Sequence, residues 1–234
     1  MRKGYVLALL GALAVGPAAL ADDWVMTITV DNQYDIYFGT DTTTTFYAGG
    51  DNNWFTVETW YAFGRLPTDF LYVATASDHS VAQGFLGHFV NLTNGQSIST
   101  GDQVWEVFPA GAYLQAIDPS WPNPWPPSVQ PTQAQVDAAI AYATANNLWI
   151  APSTLPGWTN ASHPGPWTHN MPGIPGDAYW IWHDSGTYPG GPRPAPFGGW
   201  NHNEFLIFRV PGIVPEPAAV LLLGLGTLLL RRRG

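Results

Sequence analysis

Two carboxylates four residues apart, Asp31 and Asp35, are the first residues whose types and spacing suggest a reaction. On one extended strand, residues four apart share a face. A pair of acids on one face is what a glycosidase needs, one to protonate the leaving oxygen and one to attack or to activate water. The competing expectation is that Asp31 satisfies the backbone of a turn and Asp35 is solvated. Glu58, Glu106 and Glu204 offer the same chemistry, but none lies in a recognisable catalytic motif. His163, His169, His183 and His202 are candidate metal ligands. Ligands must converge on the ion at about 2 Å, which spacing alone does not provide. With no His-Glu-x-x-His motif, hydrogen bonding to loop backbone is the expected role. Asp51, Asp102, Asp177 and Asp184 supply oxygens that suit a structural calcium, though not at EF-hand spacing. No other cofactor is expected. The chain has no Gly-x-Ser-x-Gly elbow and no phosphate-cradling glycine loop. Asn91-Leu92-Thr93 and Asn160-Ala161-Ser162 match the N-glycosylation pattern.

Aromatic rings are the remaining chemistry. The chain has 12 tryptophans. Trp121, Trp125, Trp158 and Trp167 lie beside or near prolines in a stretch rich in Pro and Gly from Asp118 to Gly199. A ring face turned to solvent stacks on the C–H face of a sugar, so these four are candidate glycan-stacking residues. The alternative is that they pin irregular loops by burying apolar surface.

The elements that must position these groups read mostly as strands. Val25 to Val30 alternates, and Tyr34 to Phe38 alternates again before Gly39. Phe46-Tyr47 leads into Gly49-Gly50-Asp51, read as a turn. Trp54 to Phe63, Phe70 to Thr75, Ala82 to Leu92 and Val104 to Phe108 follow, with Tyr179 to Trp182 and Glu204 to Val210 closing. Short strands at this spacing predict a mainly β, antiparallel sandwich. One helix is expected over about Gln133 to Ala145, where Val136, Ala139, Ile140 and Ala143 fall at helical spacing. Thr132 and Gln135 form a capping box and Asn146-Asn147 a stop.

Composition narrows the function. Without the two ends discussed below, three arginines (Arg65, Arg193, Arg209) face sixteen carboxylates, a net charge of −13 with no lysine. Such a chain will not hold a nucleic-acid backbone, which requires cations against phosphates. Cysteine is absent, which removes thiol catalysis, thiolate metal sites and disulfides.

The ends read as addresses. Arg2-Lys3, the apolar Val6 to Val15 and the Ala19-Leu20-Ala21 cleavage site form a secretory signal peptide over 1–21. At the other end, Pro215-Glu216-Pro217 precedes an apolar run, Ala218 to Leu230, and a basic stop, Arg231-Arg232-Arg233. As a helix, that run spans about 20 Å, short of the roughly 30 Å hydrocarbon core. The arginines favour the cytoplasmic side. The segment 213–234 resembles the PEP-CTERM sorting signal of Gram-negative bacteria, which implies recognition by an exosortase. Signal peptidase and exosortase are then the processing partners. The resemblance implies export across the inner membrane, transient anchoring by the apolar tail helix, and delivery to the cell surface or beyond.

The remaining 22–212 is expected to be one domain. Thr29 to Gly39, Leu71 to Ala76, Ser99 to Trp105, Tyr179 to His183 and Phe205 to Val210 resemble, in a rotated order, the strands of galactose-binding-like β-sandwich (jelly-roll) modules. That resemblance implies a non-catalytic module which binds extracellular polysaccharide. A polysaccharide-acting glycosidase with a carboxylate pair, and a purely structural biofilm component, are the alternatives.

Overall fold

The computed structural model describes residues 21–76, 82–120, 131–162, 170–184 and 205–212. The fold is mainly β, with two antiparallel sheets. Its strands are β1 (Asp22–Asp31), β2 (Gln33–Gly39), β3 (Thr44–Asp51), β4 (Glu58–Arg65), β5 (Phe70–Ala76), β6 (Gly84–Asn91), β7 (Ser97–Ser99), β8 (Glu106–Pro109) and β9 (Phe205–Val210). One sheet runs β4-β1-β6-β7 and the other β3-β2-β5-β9-β8.

The two sheets enclose a common core, built by period-two alternation. Trp24, Met26, Ile28 and Val30 of β1 point inward with Phe85 and Phe89 of β6. They meet Tyr34, Ile36 and Phe38 of β2, Leu71 and Val73 of β5, and Leu206, Phe208 and Val210 of β9. The chain changes sheets at several places, and a tryptophan packs at two of these crossings, those that join edge strands. Between β3 and β4, Trp60 lies against Gly49, where a Cβ would come within 2.3 Å of the ring. Between β7 and β8, Trp105 is buried against Phe85 and Phe89, with ring centroids 5.2 and 5.3 Å away.

A second core covers the outer face of the five-stranded sheet. Two helices lie there: α1 (Gly111–Ile117) and α2 (Gln133–Ala145). Leu114, Val136, Ala139, Ile140 and Ala143 pack on Tyr37, Tyr72, Ala74, Phe108, Phe205 and Ile207. Asp137 fixes α2 to the sheet edge, accepting from the Thr44 amide and hydroxyl, each at 2.7 Å. The helix starts at the expected capping box, Thr132 with Gln135. Thr132→Ala should lower stability by about 1 kcal/mol, a drop of a few degrees in thermal unfolding; an unchanged melting curve would show that the cap is redundant.

The expected single helix is thus corrected to two among the described residues. α1 has no side-chain cap and opens on Gly111, so nothing local signals it. Gly49-Gly50-Asp51, expected as a turn, continues β3 and pairs with Ile36, Asp35 and Tyr34. Tyr179 to Trp182, expected as a strand, makes only isolated bridges, to Thr159, Phe85 and Ser153. Among the described residues no helix is long and apolar enough to cross a membrane.

Candidate functional site

Asp31 and Asp35 do not share a face, because they do not share a strand. Asp31 ends β1 in one sheet, and Asp35 lies in β2 in the other. The chain turns between the sheets at Asn32, so the spacing of four counts residues across a corner. Asp35 is buried on the outer face of its sheet, where it accepts a 3.1 Å hydrogen bond from the Tyr47 hydroxyl. Burial pushes its carboxyl up to about 6, against the pull of the Tyr47 bond.

The glutamates hold the framework. Glu106 is paired with Arg209 at 2.6 Å across β8 and β9, and the guanidinium lies 4.0 Å from the Trp149 ring centroid. Glu58 starts β4 and interacts with Asp51 at the end of β3, linking the edges of the two sheets. Thr56 and Tyr34 donate to Glu58, and the Trp60 indole donates to the Tyr34 hydroxyl at 2.9 Å. Burial raises the Glu58 carboxyl, Thr56 opposes, and the Asp51 carboxylate beside it raises it further. Glu58 is thus tied into a cluster with Tyr34, Thr56 and Trp60 at the sheet edges.

The other expected ligands are also dispersed. Asp102 caps a turn, accepting from the Ser99 amide at 2.7 Å. The Asp184 amide donates to the Ser153 hydroxyl at 3.0 Å. His183 is buried, and burial pulls its imidazole below the ordinary range despite nearby Asp184. Among the described residues no three His, Asp or Glu side chains converge as a metal site. Of the tryptophan candidates, Trp158 is half-buried against a third cluster of Ala82, Leu86, Met171, Ile174, Ala178 and Trp180. Trp121, Trp125, Trp167, His163, His169, His202, Glu204, Ala19, the Pro215-Glu216-Pro217 motif and Arg231 to Arg233 lie outside the described residues. Ala21 is described and exposed, one residue before β1.

Both glycosylation patterns are closed off. Asn160 is 2% exposed. Its amide donates to the Met171 and Ile174 carbonyls and accepts from the Met171 amide, tying down the loop above the third cluster. Asn91 is fully buried, and its carbonyl oxygen accepts from the Thr93 and Asn94 amides.

Among the described residues one sheet face remains open, and spacing did not single it out. The outer face of the four-stranded sheet carries two rows across its strands. The first is Tyr61, Val25, Val90 and Ser97; the second is Thr59, Thr27, His88 and Ser99. Tyr61 and Phe63, next to each other on this face of edge strand β4, are 55 and 60% exposed. Their rings are nearly parallel, 9° apart, with centroids at 6.1 Å. At the far end, His88 Nδ1 lies 3.0 Å from the Ser99 hydroxyl. Burial lowers the His88 pKa, while Asp102 and Asp177 pull it back up. The third cluster covers the next row and forms a wall. Gly173 of that wall sits over Thr27, where an added Cβ would lie 3.2 Å from Thr27 Cγ2.

Compared with known proteins, the chain matches no family model, no curated protein and no solved structure. Tyr61 and Phe63 were hard to pick out because Trp60-Tyr61-Ala62-Phe63 has no polar partner to reveal its alternation. The available signal was an aromatic at two successive odd positions of one strand, with Trp60 and Ala62 between and beside them pointing inward.

Proposed function

We propose that this protein is an exported, exosortase-sorted component of the cell surface or extracellular matrix, non-catalytic, whose two-sheet module associates with polysaccharide. The jelly-roll character of galactose-binding-like modules belongs to the same reading. The observation that carries it is how the side chains are allocated. The described acids that could do chemistry are occupied in structural bonds: Glu106 to Arg209, Glu58 to Asp51 and Tyr34, Asp35 to Tyr47. The groups left to solvent on an open sheet face are aromatic rings. An exposed apolar patch rimmed by polar groups marks a recognition surface.

Export and binding are tested separately. Mass spectrometry of the protein recovered from the cell exterior should find no peptide containing Leu221 to Leu230, and Pro215→Ala/Glu216→Ala should abolish that trimming. Normal trimming of the variant would refute the sorting assignment. A glycan array probed with the trimmed protein should give polysaccharide signals; binding to no glycan would leave a purely structural matrix role. Turnover of a glycan that vanished on replacing one carboxylate would make the protein an enzyme instead.

A further inference from the structure

Resting on the reading above, we propose that the outer face of the four-stranded sheet is the glycan site, and that it takes an uncharged polysaccharide chain. Tyr61 and Phe63 supply the stacking platform, and His88, Ser99 and Asp102 the polar end.

The geometry suits a chain ligand rather than a single sugar. Tyr61 and Phe63 stand at neighbouring outward positions of β4 with their ring planes 9° apart, stacked at a centroid distance of 6.1 Å. Each ring has an electron-rich face, which attracts the slightly positive C–H face of a pyranose. The exposed pair supports one sugar at the β4 edge, and the rows across the sheet extend the contact to further residues of a glycan. Val25 and Val90 continue the apolar floor inward from Tyr61. The neighbouring row changes character: the Thr59, Thr27 and Ser99 hydroxyls and the His88 imidazole can exchange hydrogen bonds with sugar hydroxyls. The wall at Gly173 stops the ligand at Thr27 and gives an otherwise flat face a side. A glycan lying here has apolar support beneath it and polar partners along one edge.

Charge selects the class of glycan. Among the described residues the shelf offers no cation. Burial keeps the His88 imidazole neutral at neutral pH, and the nearby charges are those of Asp102 and Asp177. Arg65, at the end of the same strand, stacks over the Phe46 ring at 3.8 Å and donates to the Phe63 carbonyl. A uronate or sulfate chain would therefore meet carboxylates and no counter-charge. The hydroxyls of an uncharged chain can donate to those carboxylates, and charge-assisted bonds of this kind are stronger than neutral ones. A second copy of this protein fits poorly for the same reason. Each copy carries a net charge of −13 between its two address segments, and pairing through this face would bring like charges together.

Affinity electrophoresis of the full chain in mild detergent tests the assignment, with gels containing hydroxyethyl cellulose, galactomannan or alginate. Wild type should be retarded by an uncharged polymer and not by alginate. Tyr61→Ala/Phe63→Ala should weaken that retardation at least 10-fold, Tyr61→Phe should keep it, and Phe55→Ala, an exposed ring elsewhere, should not change it. Both truncated side chains are solvent-facing, so the double variant should melt with wild type, and its melting curve is the folding control. Retardation that survives the double variant would move the site elsewhere and leave polysaccharide association standing. Equal or stronger retardation by alginate would overturn the ligand class. A dimer in sedimentation that the double variant dissociates would assign the face to self-association. No retardation by any polymer would overturn the site together with the reading it rests on.

Discussion

Trp105→Ala should be among the most damaging single changes in this protein, lowering stability by about 3–5 kcal/mol. The side chain is 1% exposed and fills the crossing between the edge strands β7 and β8. Removing it deletes an edge-to-face contact with Phe85 and a tilted one with Phe89, and leaves a cavity where the two sheets meet. It also removes one of two bonds to the Ser99 carbonyl, which accepts from the Trp105 indole at 2.9 Å and from the Asp102 amide at 3.1 Å. Domains of this size have a total stability of about 5–15 kcal/mol, and each kcal/mol shifts the melting point by roughly 2–4 °C. The expected result is a fall of about 10 °C in thermal unfolding followed by circular dichroism. Trp105→Phe, which keeps a ring but not the indole donor, should fall between. Trp158→Ala, at a half-buried ring, should cost less than Trp105→Ala. A Trp105→Ala protein that melts within about two degrees of wild type would mean the crossing closes without its plug. Ser99 and Asp102 form the polar end of the open shelf, so the same variant should also weaken any ligand held there.

Legibility in the sequence followed how local the cause was. The boundaries of α2 were readable because its cap, its buried stripe and its stop all lie within fifteen residues of one another. Strands β2, β5 and β9 were readable because β-branched and aromatic residues run between turn residues. Gly49-Gly50-Asp51 was misread because two glycines and an aspartate are turn chemistry when considered alone. In the fold those glycines admit partners that sequence does not announce. The Trp60 ring lies on Gly49, and a Cβ on Gly50 would fall 2.4 Å from Asp35 Oδ1. The glycines are there so that a tryptophan from one sheet and a carboxylate from the neighbouring strand can approach the backbone closely.

The candidate site was less legible, for a related reason. Spacing along a chain predicts a shared face only within one element, and Asp31 and Asp35 sit on either side of a crossing between sheets. Conversely, Tyr61, Val25, Val90 and Ser97 become one row only through register between four strands. Their order along the chain carries no trace of that row. The same holds for Asp102, a candidate calcium ligand by type, whose carboxylate accepts from the Ser99 amide beside His88. Residue type is set by local chemistry, whereas partnership is set by topology.

The acidity of Asp35 yields the other large effect. Its folded carboxyl titrates at about 6 rather than at the ordinary 3.8, chiefly because burial disfavours the charged form. A group whose folded pKa is raised contributes its stability below the unfolded pKa and loses it as pH rises through the folded value. Native stability from Asp35 should therefore be complete below pH 3.8 and fall away until pH is above about 6. The shift corresponds to about 3 kcal/mol of ionisation penalty at neutral pH. Asp35→Asn keeps an acceptor for the Tyr47 hydroxyl and fits the same space above Gly50, but it never ionises. It should melt several degrees above wild type at pH 7.5 and close to it at pH 4. Glu58, raised by burial and by Asp51 and opposed by Thr56, acts in the same direction. The residual slope of the Asp35→Asn protein should then shrink further in Asp35→Asn/Glu58→Gln. Melting curves for wild type and Asp35→Asn that ran parallel from pH 4 to 7.5 would show that Asp35 is already solvated when folded. With Tyr47 half exposed beside it, such a result would mean that water reaches the carboxylate through the Tyr47 side of the sheet.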